Sequence, residues 1–226
     1  MLTATSHPSA AAPHAHTVGF YESDRFLVEL VADFLSPALE RDETAFVIAS
    51  SEHHRSFIDA LRPRYPDIEV ARREGQLVLV DAHTTRRVLV SEGVDGNGLD
   101  LDRFRELAGE LFAHVASRGR PVRVFGYMAA LLWADGDTAA ALRLEDQWNE
   151  LARVHEFELM CAYPMHGFDG AGSDEAFARV CQRHSAMANE SYAQLGVSGT
   201  SGTGVVVLQR DEPEDEAGDV LLEGGL

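Results

Sequence analysis

The sequence predicts an α/β protein with a doubly wound, mainly parallel central sheet of five or more strands and helices on both faces. Short apolar runs alternate with helical patterns from His16 onward, which is typical of parallel strands joined by crossover helices. The runs at 46–48 and 77–80 do not alternate with polar residues, and this suits strands covered on both faces. With 226 residues, 45% of them apolar, the chain is long enough to bury a core.

The first predicted strand, 16–21, is followed by a helix and then by the second strand, 44–49. Ser23 or Asp24 provides an N-cap for this helix, and apolar residues then recur at helical spacing. That apolar face consists of Leu27, Leu30, Val31, Phe34 and Leu35. The third predicted strand is 76–81.

The fourth predicted strand, 122–126, lies between two further helices. The helix before it starts after Asp100 and ends at Gly119 and Pro121. The helix after it starts at the turn 135–137 and carries apolar residues on one face. The fifth strand, 157–163, precedes a shorter helix over 173–184.

Three regions are expected along the chain. Residues 1–14 are small and polar and predict a disordered segment, and 15–195 predict one folded domain. Residues 196–226 combine a Gly/Ser linker with an acidic tail and are predicted to be disordered. Within that tail, the apolar run 205–208 has the alternative of adding an edge strand.

The composition excludes several classes of protein. Nineteen basic residues against 37 acidic ones give a net charge of −18, which disfavours binding to nucleic acid or to an anionic membrane surface. All the basic residues are Arg, so neither a Walker A loop nor a Lys Schiff base can form. Without a secretory signal or an apolar span, the protein is expected in the cytoplasm.

Candidate ligand-binding residues follow from the predicted sheet, because ligands bind beyond the carboxyl ends of parallel strands. Tyr21 ends the first strand and Glu22 follows it, Asp81 ends the third, Tyr127 follows the fourth, and Tyr163 ends the fifth. The loop after the first strand contains no glycine and two acids, so it does not form a phosphate cradle.

Metal and nucleophile sites are weakly indicated. No pair of histidines has the i, i+4 spacing with a Glu that zinc hydrolases use, so scattered histidines are preferred over a metal site. His16 opens the first strand, where it either bonds its neighbours or faces a cavity. Cys161 and Cys181 are interpreted as reduced thiols in the core or on a helix face. No cofactor is expected.

Five groups of residues, taken in their order and spacing, resemble the motifs of a known family. They are His16-Thr17-Val18-Gly19-Phe20-Tyr21; Val124-Phe125-Gly126 followed by Leu132-Trp133; Leu144-Glu145 with Trp148-Asn149; Cys161-Ala162-Tyr163-Pro164; and His184-Ser185 with Glu190-Ser191-Tyr192. The chain is similar in these groups to the MEDS domain, a prokaryotic sensory domain named after methanogens, methylotrophs and the dichloromethane-responsive repressor.

The resemblance implies a RecA-like fold that has lost its phosphate loop and whose pocket senses small organic molecules of hydrocarbon origin. It places His16, Phe20 and Tyr21 at that pocket from the first strand, with Gly126 and Tyr163 from the fourth and fifth. Relatives carry an acid where this chain has Tyr127, so the polar role of that acid is altered here.

The preferred hypothesis is therefore a non-catalytic sensor that binds a small organic ligand and signals to a separate protein. Because relatives are fused to such domains, a histidine kinase or a transcription regulator is the expected partner class. Two alternatives stay open: a protein-interaction module with a vestigial pocket, and a hydrolase using Glu22, Asp81 or a histidine as general base.

Overall fold

The computed structural model describes residues 15–89, 99–116, 119–170, 172–189 and 205–207. The strands are β1 (His16–Tyr21), β2 (Thr44–Ala49), β3 (Leu77–Asp81), β4 (Val122–Gly126), β5 (Phe157–Pro164), β6 (Ala186–Asn189) and β7 (Val205–Val207). The α-helices are α1 (Asp24–Glu40), α2 (Ser51–Leu61), α3 (Ile68–Arg73), α4 (Ala82–Leu89), α5 (Leu101–Ala116), α6 (Met128–Ala134), α7 (Thr138–Ala152) and α8 (Ser173–Cys181), and a 3-10 helix covers Met165–Phe168.

The strands form one sheet in the order β3-β2-β4-β5-β1-β6-β7. Strands β1 to β6 are all parallel to their neighbours, and β7 pairs antiparallel with β6 at the edge. Helices cover both faces, so the predicted doubly wound α/β fold is confirmed.

Two apolar cores lie on the two faces of the sheet. Helices α1, α2 and α3 pack on one face, around Leu27, Phe57 and Phe125. Helices α4 to α8 pack on the other, around Phe20 and Trp148. Successive residues of a strand point to opposite faces, so Phe20 and Tyr21 belong to different cores.

The structure adds elements that the sequence patterns did not predict. Helices α2, α3, α4 and α6 connect the strands, and β6 extends the sheet beside β1. The helix predicted over 173–184 ends at Cys181, which leaves His184 in the connection between α8 and β6. No helix among the described residues is long and apolar enough to span a membrane.

The predicted disordered segment 1–14 lies outside the described residues, as does the linker 196–204. Residues 205–207 form β7, so for these three residues the prediction of disorder is corrected and the alternative of an edge strand holds. Their hydrogen bonds with β6 replace solvent as partners of the backbone. The domain boundaries themselves stay a prediction.

Candidate functional site

Five polar side chains converge inside the core between the sheet and α7. They come from β1, α7, β5 and the connection after α8, and none is more than 3% exposed: His16, Glu145, Cys161, Tyr163 and His184. We call this set the buried polar cluster. Cys161 and Tyr163 are two residues apart in β5 and therefore point to the same face, toward α7.

Glu145 is the centre of the buried polar cluster. The Tyr163 hydroxyl donates to its Oε1 at 2.6 Å, and the Cys161 thiol donates to its Oε2 at 3.2 Å. Two imidazole nitrogens face the same Oε2, His16 Nε2 at 3.3 Å and His184 Nε2 at 3.7 Å. His16 Nε2 also lies 3.5 Å from Cys161 Sγ.

Outer hydrogen bonds orient both imidazoles. The Asn149 amide donates through Nδ2 to the carbonyl of Arg183 at 3.0 Å, so its Oδ1 accepts from His16 Nδ1 at 3.1 Å. His184 Nδ1 donates to the carbonyl of Val180 at 2.7 Å. In a neutral imidazole the other nitrogen is then unprotonated, so both Nε2 lone pairs point at Glu145.

Burial and these contacts shift the acidity of the cluster. Burial raises the pKa of Glu145, but the His184 and His16 imidazoles and the Tyr163 hydroxyl outweigh it and bring the pKa to about 2. Burial and the nearby His16 lower the pKa of His184 to about 3. Burial and the Glu145 charge raise the pKa values of the Cys161 thiol and the Tyr163 hydroxyl well above their ordinary range. The carboxylate is thus ionised while the thiol and His184 are neutral.

A second polar group lies at the carboxyl ends of β1, β2 and β4, and we call it the strand-end cluster: Tyr21, His53 and Tyr127. The two hydroxyls are hydrogen-bonded at 2.7 Å. The His53 ring packs edge-on against Tyr127 at 4.7 Å and stacks on Phe57 at 5.6 Å between centroids. His53 Nδ1 is buried and has no hydrogen-bond partner.

Local structure explains how the strand-end cluster is placed. The Ser50 hydroxyl accepts from the backbone N–H of His53 and caps α2, which sets His53 in the first turn. Tyr127 is the residue before α6. Burial raises the pKa of both tyrosines and lowers the pKa of His53, so all three groups are uncharged near neutral pH.

The residues predicted to bind a ligand do not form one pocket. Tyr21 and Tyr127 meet in the strand-end cluster, whereas His16 and Tyr163 belong to the buried polar cluster on the other face of the sheet. Phe20 is fully buried and packs against the rings of Tyr163, Phe168 and Phe177.

The remaining three predicted residues lie elsewhere. A side chain at Gly126 would face Cys161, Leu159 and Trp148 in the core. Asp81 is half-buried, accepts from Ser51 Oγ and from the backbone N–H of Thr84, and has a pKa lowered by the Thr84 bonds. Glu22 is exposed. Asp81 therefore serves as a cap of the turn into α4.

Sequence reasoning missed Glu145, Cys161 and His184 as one site. They lie on α7, on β5 and in the connection after α8, and spacing patterns detect only ligands on one element. The one signal that pointed to them was the set of motifs shared with the resembled family, since four of its five groups contribute a residue to the buried polar cluster.

The fold and these two clusters define a doubly wound α/β domain with polar groups both inside the core and at the carboxyl ends of the strands. A family model described as "MEDS: MEthanogen/methylotroph, DcmR Sensory domain" matches residues 15–184. The chain therefore belongs to the MEDS family of sensory domains. A comparison with curated proteins finds no match.

Proposed function

We propose that this chain is a non-catalytic sensory domain that binds a small, uncharged organic molecule at the strand-end cluster. The observation that carries the proposal is His53 Nδ1, a buried nitrogen without a hydrogen-bond partner, next to the paired hydroxyls of Tyr21 and Tyr127. Open parallel sheets bind ligands outside the carboxyl ends of their strands, which is where these groups lie.

The charges around the strand-end cluster favour an uncharged ligand. Asp24 raises the pKa of both tyrosines in addition to the effect of burial, so the local field is negative. Asp24 and Glu52 also oppose the burial effect on His53. An anion would be repelled, whereas a neutral molecule with a hydroxyl, carbonyl or amide group has a nitrogen and two hydroxyls to bond.

The position of the strand-end cluster suits transmission of a signal. His53 lies in the first turn of α2 and Tyr127 directly before α6, and these helices pack on opposite faces of the sheet. A ligand that separates the two hydroxyls would displace the start of either helix. The proposed receiver is a separate cytoplasmic protein of the histidine kinase or transcription regulator class.

Ligand binding is tested by native mass spectrometry of the chain purified from its own cells, followed by NMR titration of the ¹⁵N-labelled chain. The probes are methanol, acetone, acetamide and dichloromethane, with acetate as the charged comparison. We expect saturable shifts at α2 and α6 with at least one neutral probe. Absence of both a retained molecule and saturable binding would favour the interaction module.

Variants locate the site. Tyr127→Phe removes a hydroxyl and His53→Gln replaces the imidazole by an amide of different geometry, and each is expected to weaken binding by up to about tenfold. Tyr65→Phe is the matched control, because its hydroxyl lies away from the cluster, 3.4 Å from Gln76 Oε1. Unchanged affinity in both cluster variants would contradict the assignment.

A further inference from the structure

The buried polar cluster brings together four metal-binding groups of different kinds. His16, Glu145, Cys161 and His184 each offer one ligand atom, and these atoms all lie within 4.8 Å of one another. In tetrahedral zinc sites, bond lengths of about 2.0–2.3 Å place neighbouring ligand atoms roughly 3.3–3.6 Å apart. The contacts of 3.2 to 3.7 Å around Glu145 Oε2 are close to that spacing.

Hydrogen bonds among the side chains of the buried polar cluster leave one of its ring nitrogens without a partner. The thiol proton of Cys161 points to the Glu145 carboxylate, and the proton of His16 is on Nδ1, so that His16 Nε2 meets the same carboxylate with its lone pair at 3.3 Å. His184 Nε2, however, is fully buried without a hydrogen-bond partner, because the proton of that ring is held by the Val180 carbonyl. A buried lone pair facing a carboxylate is unfavourable unless a proton or a metal ion lies between them.

We infer that the buried polar cluster is a metal site in which His16, Glu145, Cys161 and His184 bind one zinc ion. Two imidazoles, a thiolate and a carboxylate suit zinc better than magnesium or calcium, which prefer oxygen ligands. The thiol proton of Cys161 leaves to solvent when the ion binds. The charges of thiolate and carboxylate then neutralise the divalent ion within the core.

The surroundings of the four groups match those of metal ligands. Metal-bound histidines usually donate their second N–H to a fixed acceptor, as His16 does to Asn149 and His184 to the Val180 carbonyl. Tyr163 holds the other oxygen of Glu145. Asn149, which holds His16, also lines a surface cavity of about 560 Å³ together with Arg183.

The proposed site is closed, because its four ligands are protein groups and all are buried. Such sites hold elements together, whereas catalytic zinc sites keep a position for water. The ion would join β1, β5 and α7 to the connection between α8 and β6. This inference goes beyond the proposed ligand binding, which concerns the other face of the sheet.

The test uses the full chain, unfolded with a chelator and refolded with zinc or cobalt. We expect about one zinc ion per chain by elemental mass spectrometry. With Co²⁺ we expect a thiolate-to-cobalt charge-transfer band and the intense visible bands of a tetrahedral site. A chain that refolds without retaining zinc, or a cobalt spectrum without the thiolate band, would overturn the inference.

Variants separate the site from adventitious binding. Cys161→Ser and His184→Gln should abolish retention of the ion, and Asn149→Ala should weaken binding by about 10- to 100-fold through loss of the outer bond. Cys181→Ser is the control, since Cys181 is the other free cysteine and lies outside the cluster. Equal zinc retention in Cys161→Ser would refute the assignment. If this variant fails to fold, the cobalt spectrum of the unaltered chain decides.

The outcome is independent of the proposed ligand. His53→Gln and Tyr127→Phe should leave the zinc content unchanged, because they alter the strand-end cluster only. If the chain binds zinc but none of the organic probes, the proposed function is wrong and the zinc site is unaffected. If the chain binds an organic probe but no zinc, the inferred zinc site is wrong and the proposed function is unaffected.

Discussion

Tyr163 shows how a residue predicted to face a ligand has a different role in the folded protein. It ends an apolar strand, yet its ring is fully buried and its hydroxyl donates to Glu145 at 2.6 Å. Its sequence position at the carboxyl end of β5 correctly indicates the strand. Whether its hydroxyl faces a pocket or a buried carboxylate depends on how α7, the helix before β5, packs on the sheet.

Tyr163→Phe is expected to lower the free energy of unfolding by about 1.5–3 kcal/mol, because the ring stays while a hydrogen bond to a buried carboxylate is lost. Urea denaturation measures this difference. Tyr65→Phe is the control, since its half-buried hydroxyl makes only a 3.4 Å contact, and we expect a smaller effect there. Equal losses in the two variants would contradict the special role of the Glu145 bond.

His53 leads to a prediction about pH in the ligand-free protein. Burial lowers the pKa of His53 below its ordinary value of 6.5, so the unfolded state binds more protons just below that pH. The stability from the neutral ring is therefore present above pH 6.5 and is lost as the pH falls below it. Burial lowers the pKa values of His54 and His184 too, so all three rings contribute to the loss.

His53→Gln is expected to reduce the loss of stability between pH 7.5 and about 5.5 without abolishing it, because His54 and His184 keep their contributions. Urea midpoints at the two pH values give the comparison. His166→Gln, which removes an exposed histidine, controls for the loss of an imidazole as such. If the urea midpoint of His53→Gln falls between pH 7.5 and 5.5 by as much as that of the unaltered chain, the prediction is wrong.

At the scale of single elements, two glycines should respond oppositely to alanine. A Cβ at Gly19 in β1 would lie 2.5 Å from Leu30 Cδ2 in the core, whereas a Cβ at Gly109 in α5 meets nothing within 4 Å. Gly19→Ala should cost about 1–3 kcal/mol through overpacking, and Gly109→Ala should stabilise by about 0.5–1 kcal/mol. Thermal unfolding of the two variants provides the measurement. If the melting temperature changes in the same direction in both, the prediction is wrong.

The edge strand β7 gives a second prediction at this scale. Residues 205–207 pair antiparallel with Ala186, Met187 and Ala188 of β6. Truncation after Gly204 exposes that edge, and we expect a melting temperature about 2–4 °C below that of a chain truncated after Gln209. Identical melting of the two truncated chains would mean that the β6–β7 pairing adds no net stability.

For the whole molecule, we predict that ATP and GTP with magnesium do not bind. The start of α1, where related folds hold a phosphate, is capped by the Ser23 hydroxyl and carries Asp24 in its first turn. The chain also has no Lys and a net charge of −18. A ligand at 100 times its dissociation constant stabilises a protein by about 2.7 kcal/mol, so a nucleotide-dependent rise in melting temperature would expose a wrong prediction.

Local patterns were sufficient for most of the sheet. Strands β1, β2 and β4 have the predicted bounds, and β3 and β5 differ by one residue at one end. Unbroken apolar runs and capping residues are properties of neighbouring residues, so they can be found in sequence. β6 was not predicted, since its four residues Ala186–Asn189 carry little β pattern and become a strand by pairing with β1.

The sequence by itself determined the α/β class, the exclusion of lysine chemistry and, through its motifs, the resemblance to the MEDS family. Only the tertiary structure decided which of those residues meet. His16, Glu145, Cys161 and His184 come from four separate parts of the chain and share one buried centre. The Tyr21 hydroxyl bonds the Tyr127 hydroxyl at the carboxyl end of the sheet, and Tyr21 does not contribute to the cluster that contains His16. Contacts of this kind depend on strand order and helix packing, which are set by burial of the whole apolar surface and leave no local pattern.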